Sequence, residues 1–357
     1  MKVAIRVDAS SEIGAGHFMR CLTLADALQR RGATVRFVSR VLPVHLQDMA
    51  IDRGHQLYLL DASRSDAISC ELFHASWLGV SQKFDAGETL KVLADHTWDW
   101  LIIDHYAIDA LWEKLLRKAT KNILVIDDIA DRDHDCDLLL DQNLCEGMYS
   151  RYKNKVPDHC KLLLGPCYAL LREEFGDLHK TVQPRTTAVR RILIFFGGVD
   201  HDNLTTLALI ALNSIDCVEL TVDVVLGANH PYMSHIKSIC SEQKYSLHVQ
   251  TSQMAELMAA ADLGIGASGS ATWERCCMGL PALTISVANN QTEIAKGLEA
   301  SGAGIFLGMQ EAVSTEILRK AICKLMNNSG DIENLSKNAL ALVDGLGVYR
   351  CLEIMEG

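Results

Sequence analysis

Lys2-Val-Ala-Ile-Arg-Val7, followed by Asp8-Ala-Ser-Ser-Glu-Ile-Gly14-Ala-Gly16-His17-Phe-Met-Arg20, decides how this chain is read. The first six residues are an apolar run of strand length, and a small polar loop with two glycines follows. A helical period then sets in. Phe18, Cys21, Leu22, Ala25 and Leu28 recur at three- and four-residue spacings, and Gly32 closes the run. A strand that empties through a short loop into a helix is the unit of a parallel α/β sheet, where ligands collect outside the carboxyl ends of the strands. His17 stands at such an end. Unpaired N–H groups and the positive end of the helix dipole disfavour extra positive charge there, so a neutral imidazole that can accept a proton from water is expected. The residue alone is also compatible with an ordinary histidine satisfied by a loop carbonyl. Met19 occupies the place of the third glycine of a G-x-G-x-x-G fingerprint, so Gly14 and Gly16 do not announce a dinucleotide site.

The same alternation continues through the chain. Apolar runs at 3–7, 34–38, 57–60, 101–103, 123–126 and 138–140 read as strands, with amphipathic stretches such as 107–118 between them. The polar, locally basic stretch 180–191, which contains a proline, reads as a linker. The pattern restarts at 192–196 and continues at 220–226, 247–250, 263–266, 282–286 and 304–306. This is a doubly wound pattern written twice: an α/β domain over 1–180 carrying His17, and a second over 190–357, whose last helix is expected to return to the first domain. Two such halves are expected to leave a ligand cleft between them.

Composition narrows the class. In a chain of 357 residues, 49% are hydrophobic and 22% charged, which fits a globular protein with a full core. The net charge of −11 argues against a general nucleic-acid or anionic-membrane surface. The twelve cysteines show no C-x-x-C pairing and the N-terminus reads as a core strand, so reduced thiols and a cytoplasmic location are expected. No apolar run approaches the length of a membrane span.

The back half carries Gly264-Ile-Gly-Ala-Ser268-Gly269-Ser270-Ala-Thr-Trp-Glu274-Arg-Cys-Cys-Met-Gly279-Leu-Pro281. A buried strand ends in Ser268-Gly269-Ser270, with Ser270 as the expected N-cap of a helix that Gly279 and Pro281 end. Such a small-residue turn lets backbone N–H groups approach a phosphate. Glu274, about one turn along the helix, is placed to accept both hydroxyls of a ribose; an acid there also complements the helix dipole. Gly197-Gly198-Val-Asp200-His-Asp202-Asn203 follows another strand. Its glycines suit a phosphate-side loop or a tight turn, and Asp200, Asp202 or Asn203 is expected to cap the next helix. Asn289-Asn290-Gln291 offers neutral amides for a pyrophosphate or sugar hydroxyls, or a polar cap.

Two further clusters stand in the front half. Ile103-Asp104-His105-Tyr106 closes a buried strand, with Tyr106 expected to present its hydroxyl and Asp104 to orient a neighbouring donor. Asp127, Asp128, Asp131, Asp133, Asp135 and Asp137 invite a metal reading. Their spacing fits no calcium-binding loop, and a solvated loop is expected instead.

With these residues in place, the chain resembles the UDP-sugar hydrolase family of the bacterial pseudaminic acid pathway. The resemblance rests on Arg6-x-Asp8-Ala-Ser-x-x-Ile-Gly14-x-Gly16-His17-x-x-Arg20-Cys21, on Ile103-Asp104-His105-Tyr106, on Asp127-Asp128 and on Cys136-Asp137-Leu-Leu-Leu-Asp-Gln-Asn143. Phe196-Gly-Gly-x-Asp200 and Ser268-Gly-Ser270 with Glu274 extend it through the second half. It implies a GT-B architecture, two Rossmann-like parallel-sheet domains facing across a cleft. It also implies hydrolysis of UDP-2,4-diacetamido-2,4,6-trideoxy-β-L-altrose to UDP and the free sugar, with water as acceptor and neither metal nor cofactor. By the resemblance, His17 is the base that activates water. Gly14, Gly16, Arg20, Asp104, Tyr106, Asn289 and Gln291 line the sugar, and Gly197, Gly198, Ser268, Gly269, Ser270 and Glu274 hold UDP. Val199 departs from the pattern, which leads one to expect a serine there. The extra length relative to small members falls partly in 61–87, to which no role is assigned. The competing readings are a UDP-sugar glycosyltransferase, a UDP-sugar 2-epimerase and a silent nucleotide-sugar binder.

Overall fold

The computed structural model describes residues 1–63, 72–215 and 220–357. The expected pair of parallel-sheet α/β domains is present. One compact unit comprises Met1–Asn143, Gly147–Leu170 and Gly347–Gly357; the other comprises Leu144–Glu146 and Leu171–Leu346.

In the first unit, β1 (Lys2–Val7) is an interior strand, flanked by β2 (Thr34–Ser39) and then β3 (Gln56–Leu59) on one side. On the other side follow β4 (Trp98–Asp104), β5 (Thr120–Ile126), β6 (Leu138–Asp141) and β7 (Lys161–Leu164). Every neighbouring pair is parallel, with Ile5 opposite both Phe37 and Ile102. Val3, Ala4, Ile5 and Val7 are fully buried because helices cover both faces, which is why β1 reads as a continuous apolar run rather than an alternating one. The chain winds outward in one direction to β3, then crosses to β4 on the far side of β1. The loops after β1 and β4 therefore open side by side at the switch point of the sheet.

The helix Gly16–Arg30 buries Phe18, Cys21, Leu22, Ala25 and Leu28, the positions its period picked out. The final helix, Gly347–Glu356, adds Val348, Cys351, Leu352 and Met355 to the same core, and the Trp100 indole N–H donates to the Met355 carbonyl at 3.0 Å. Strand β7 was not expected. It is a four-residue edge strand with two exposed positions, too short and too mixed to show a period.

The second unit has the order β10 (Ser246–Val249), β9 (Thr221–Leu226), β8 (Arg191–Phe195), β11 (Leu263–Ala267), β12 (Ala282–Ser286) and β13 (Ile305–Met309), again all parallel. Its switch point lies between β8 and β11. The chain crosses into this unit at Leu170–Leu171, ahead of the stretch 180–191 read as a linker. That stretch is fastened, not free. The buried Arg185 guanidinium donates to the carbonyls of Met258 and Ala259 at 2.9 Å and of Ala261 at 3.2 Å, and also to that of Met278. It thereby satisfies the carboxyl ends of two short helices, a use of arginine that composition alone reads as solvent-facing charge.

Glycines set how closely the second sheet's loops pack. A Cβ on Gly227, just after β9, would lie 2.0 Å from the Gly198 carbonyl oxygen, and one on Gly266 would lie 2.1 Å from the Phe195 carbonyl oxygen. Gly227→Ala must therefore push the Gly197-Gly198 loop outward. The expected cost is about 1–3 kcal/mol of stability, a melting temperature lower by several degrees, and weaker binding of any ligand held by that loop. Thermal unfolding with and without UDP checks it; an unchanged melting temperature would refute the close-packing argument.

Candidate functional site

At the switch point of the first sheet, the element boundaries bring four predicted residues together. His17 is the second residue of its helix and Arg20 follows one turn later on the same face, while Asp104 ends β4 directly opposite. His17 Nδ1 lies 2.6 Å from Asp104 Oδ1. Arg20 grips the same carboxylate twice, Nε to Oδ2 at 2.6 Å and a terminal nitrogen to Oδ1 at 2.7 Å. Its other terminal nitrogen donates to Asp128 Oδ2 at 2.8 Å, and the Tyr106 hydroxyl donates to Asp128 Oδ1. The Tyr106 ring meets His17 edge-on, with centroids 4.7 Å apart.

These bonds keep Asp104 ionised and set the tautomer of a neutral His17, whose Nδ1 also lies 3.2 Å from an Arg20 terminal nitrogen. Burial alone would raise the Asp104 carboxyl, but Arg20 first and then His17 outweigh it and hold it well below the usual carboxylate range. An ionised carboxylate only accepts hydrogen bonds, so the 2.6 Å contact requires the proton on His17 Nδ1. In the neutral ring, Nε2 is then the acceptor.

The geometry changes what three predicted residues do. Asp104 is 1% exposed and Arg20 is committed to Asp104 and Asp128, so both act as support for His17, which at 9% exposure is little more open than Arg20 at 7%. Tyr106 is 2% exposed and its hydroxyl is committed to Asp128, so what it offers beside His17 is its ring. Gly14 adopts φ +79°, a left-handed turn that L side chains disfavour, and Gly16 begins the helix.

The aspartate run resolves into support. Asp127 is fully buried, accepts the Ala130 N–H at 2.9 Å and pairs with Arg132 at 2.9 Å. His134 bonds Glu113 at 2.7 Å, and the Tyr152 hydroxyl reaches Asp127 and Asp141, each at 3.1 Å. The solvated-loop reading therefore fails for Asp127 and Asp128, which are structural and site residues. Asp128 gave no signal of its own in the sequence, because its partners lie 22 and 108 positions away.

The second unit gathers its own cluster at the carboxyl ends of three neighbouring strands. Gly197 and Gly198 follow β8, Ser268-Gly269-Ser270 follows β11, and Asn289 to Gln291 follow β12. Gly197 is left-handed, at φ +97°. Asp200 caps the next helix, accepting the Leu204 and Thr205 N–H groups at 2.9 Å each, with His230 at 3.4 Å. Ser270 precedes the helix Ala271–Cys277 but has helical backbone angles, and its side chain makes no capping bond. The expected cap is thus absent, and the exposed hydroxyl is left to solvent. Ser268 is fully buried and its Oγ has no hydrogen-bond partner. A Cβ on Gly269 would lie 3.6 Å from Gln291 Nε2, so that amide sits over the turn, whereas Asn289 is exposed at its helix start.

Beneath the turn lies Arg275, which sequence reasoning passed over. It is 2% exposed and donates to the Ala267 carbonyl at 2.8 Å and to Thr272 Oγ1 at 3.1 Å. Gly264 and Gly266 leave it room: a Cβ on either would come within 3.1 Å of its side chain. Burial lowers its guanidinium to about 10, still cationic at neutral pH. The signal was present as two glycines one residue apart in a strand, which mark close approach by another group. Glu274, 22% exposed at the side chain, lies 3.7 Å from Arg172; burial raises its carboxyl, against the pull of Arg172 and Arg275.

Residues 192–345 match the family model of the glycosyltransferase family 28 C-terminal domain. The chain is similar to the spore coat polysaccharide biosynthesis protein SpsG of Bacillus subtilis, with 24% identity over 100% of this chain and 98% of that protein. It is 30% identical to the UDP-2,4-diacetamido-2,4,6-trideoxy-beta-L-altropyranose hydrolase of Campylobacter jejuni, over 57% of this chain and 63% of that protein. The crystal structure of Acinetobacter baumannii MurG superimposes with a TM-score of 0.64 at 17% identity, covering 100% of this chain and 99% of the other. The fold is that of GT-B proteins. Among the described residues, no helix is long and apolar enough to cross a membrane.

The buried ion pairs predict how stability follows pH. Asp8, Asp104 and Asp127 all have depressed carboxyls, so their contribution is complete above about pH 4 and is lost as pH falls below the usual carboxylate range. His134 runs the other way: burial lowers it, but Glu113 and Asp127 prevail and raise it to about 9. Its contribution is complete below about pH 6.5 and fades as pH rises through about 9. Denaturant midpoints across pH 3–10 should therefore fall at both ends, and His134→Gln should flatten the alkaline limb. A wild-type midpoint that stays level from pH 6.5 to 9 contradicts the His134 assignment.

Proposed function

We propose that the chain hydrolyses a UDP-sugar, releasing UDP and a free diacetamido-trideoxy hexose, with His17 as the general base. The observation that carries the reading is the His17–Asp104–Arg20 constellation at the carboxyl end of β1. In the neutral ring it places the proton on Nδ1 and leaves Nε2 as a positioned acceptor. In the proposed step, water gives a proton to His17 Nε2 as its oxygen bonds to the anomeric carbon. The bond from that carbon to the diphosphate oxygen breaks, and its electron pair leaves with UDP. Asp104 stabilises the imidazolium that forms, while Arg20 keeps Asp104 ionised and oriented. The second unit grips the nucleotide. The Gly197-Gly198 and Ser268–Ser270 turns take the diphosphate, with the Arg275 cation behind the latter, and Glu274 takes the ribose hydroxyls. Asn289 and Gln291 are assigned to the sugar or pyrophosphate. The Campylobacter jejuni relative's name supports the sugar class and the hydrolytic outcome.

The match of residues 192–345 to a glycosyltransferase domain favours a second reading, sugar transfer to an acceptor other than water. The same base would then deprotonate an acceptor hydroxyl. Purified protein incubated with UDP-sugar alone separates the two. Stoichiometric UDP release with free sugar supports hydrolysis, and release only on adding an acceptor supports transfer.

Variants test the residue roles. Replacing His17 by Ala should reduce turnover about 100- to 10,000-fold with UDP affinity nearly unchanged. Glu274→Ala should act oppositely, weakening UDP binding first, as titration calorimetry would show. Near-normal turnover in the His17 variant would remove it from the mechanism, and undiminished UDP affinity in the Glu274 variant would remove the ribose contact.

A further inference from the structure

The stretch 72–80, Leu72-Phe73-His74-Ala75-Ser76-Trp77-Leu78-Gly79-Val80, lies in the region to which sequence reading assigned no role; its neighbours 64–71 fall outside the described residues. It is built to display rings. Ala75–Leu78 is a single 3₁₀ turn closed by Gly79 at φ +73°, and Leu78 and Val80 anchor it in the core of the first unit. A three-residue repeat places His74 and Trp77 on one side of the turn. That side meets the site. The Trp77 ring stacks on Tyr106 with centroids 5.5 Å apart and planes 25° apart, and His74 lies 5.1 Å from Tyr106 and 4.5 Å from Trp77. Phe73 continues the row, 4.8 Å from His74, and is 87% exposed. At the other end Tyr106 meets His17 at 4.7 Å. The Trp77 indole N–H donates to Glu12 Oε1 at 3.1 Å, which ties the row to the loop that precedes His17.

The row is mostly apolar. The Trp77 N–H is committed to Glu12 and the Tyr106 hydroxyl to Asp128. Burial, with a smaller opposing pull from Asp131, holds His74 below the ordinary imidazole value. Its Nδ1, buried without a partner among the described residues, is the one buried polar atom the row leaves unmatched. Aromatic faces with so few free donors suit methyl and C–H groups and contribute little to a hydroxyl, which would lose water there without replacement. We propose that Phe73, His74 and Trp77, with the ring of Tyr106, form a subsite beside His17 that takes the apolar side of an N-acylated, deoxygenated hexose. The proposal rests on the UDP-sugar reading and assigns the 72–80 segment the task of selecting for methyl and acetamido groups over hydroxyls.

The test compares wild type, Phe73→Ala, Trp77→Ala and Trp77→Phe on a UDP-diacetamido-trideoxyhexose and on UDP-N-acetylglucosamine, with UDP binding measured separately by calorimetry. Phe73 is exposed, so its loss does not threaten the fold. Phe73→Ala and Trp77→Ala should each raise KM and lower selectivity for the deoxygenated sugar about 10- to 100-fold, with UDP affinity unchanged, and Trp77→Phe should restore most of the loss. A second readout needs no turnover. Titrating the free diacetamido-trideoxyhexose should change tryptophan fluorescence in the wild type, and that change should disappear in Trp77→Phe. Its presence sustains the subsite even where no UDP is released, an outcome that overturns only the hydrolase reading. Unchanged selectivity in both alanine variants, or a fluorescence response that persists in Trp77→Phe, overturns the subsite.

Discussion

One buried carboxylate organises the first unit. Asp104, at the last position of β4, accepts from His17 and twice from Arg20, and Cys21 Sγ lies 3.5 Å away. Burying an isolated carboxylate costs several kcal/mol, so the fold must supply a cation with matching geometry, and a bidentate guanidinium is the best fit. That demand fixes the rotation of the helix Gly16–Arg30 about its axis, because His17 and Arg20 must both face β4. The same rotation turns Phe18, Leu22 and Leu28 into the core. The geometry of the candidate site and the packing of the helix are therefore one constraint here. A helix turned to relieve one would break the other.

The second unit solves a different problem, close approach of its own backbone and side chains, by omission of side chains. Gly227 lets the Gly198 carbonyl come close, Gly266 does the same for the Phe195 carbonyl, and Gly264 with Gly266 leaves a slot for Arg275. The cation beneath the Ser268–Ser270 turn hydrogen-bonds a backbone carbonyl and a hydroxyl rather than a carboxylate, and Glu274 acts on it only through space. The arginines at the first unit's site are paired with carboxylates by direct hydrogen bonds; Arg275 is not.

What the sequence disclosed follows from range. Interior parallel strands announce themselves as apolar runs, and the element order placed His17, Asp104, Gly197 and Ser268 at carboxyl ends where ligands collect. Edge strand β7 offered only the three-residue leucine run 162–164, as short as the one at 138–140, and sequence reasoning passed over it. The N-cap assigned to Ser270 followed residue preference, yet the backbone is already helical there and the side chain makes no cap. Pairings at long separation left no local trace. Asp128 looked like one acid among six, and Arg185 like linker charge, because the groups that use them lie tens of positions distant. Aromatic residues at 73, 74 and 77 carried no period either, since a single turn is too short to show one.

The base proposed at His17 would not by itself distinguish hydrolysis from transfer, because a water and a sugar hydroxyl would lose a proton to the same nitrogen. The distinction must come from what surrounds that nitrogen. An acceptor sugar brings several hydroxyls, each of which needs a partner when it leaves water. On the described flank of His17 most polar groups are engaged, Tyr106 with Asp128, Trp77 with Glu12 and Arg20 with Asp104, while His74 Nδ1 is buried without a partner. Under the proposed reading, a polyhydroxylated acceptor would find few partners there, whereas a single water needs only Nε2. The proposed aromatic row would then do two jobs, selecting a deoxygenated donor and biasing a shared base toward water.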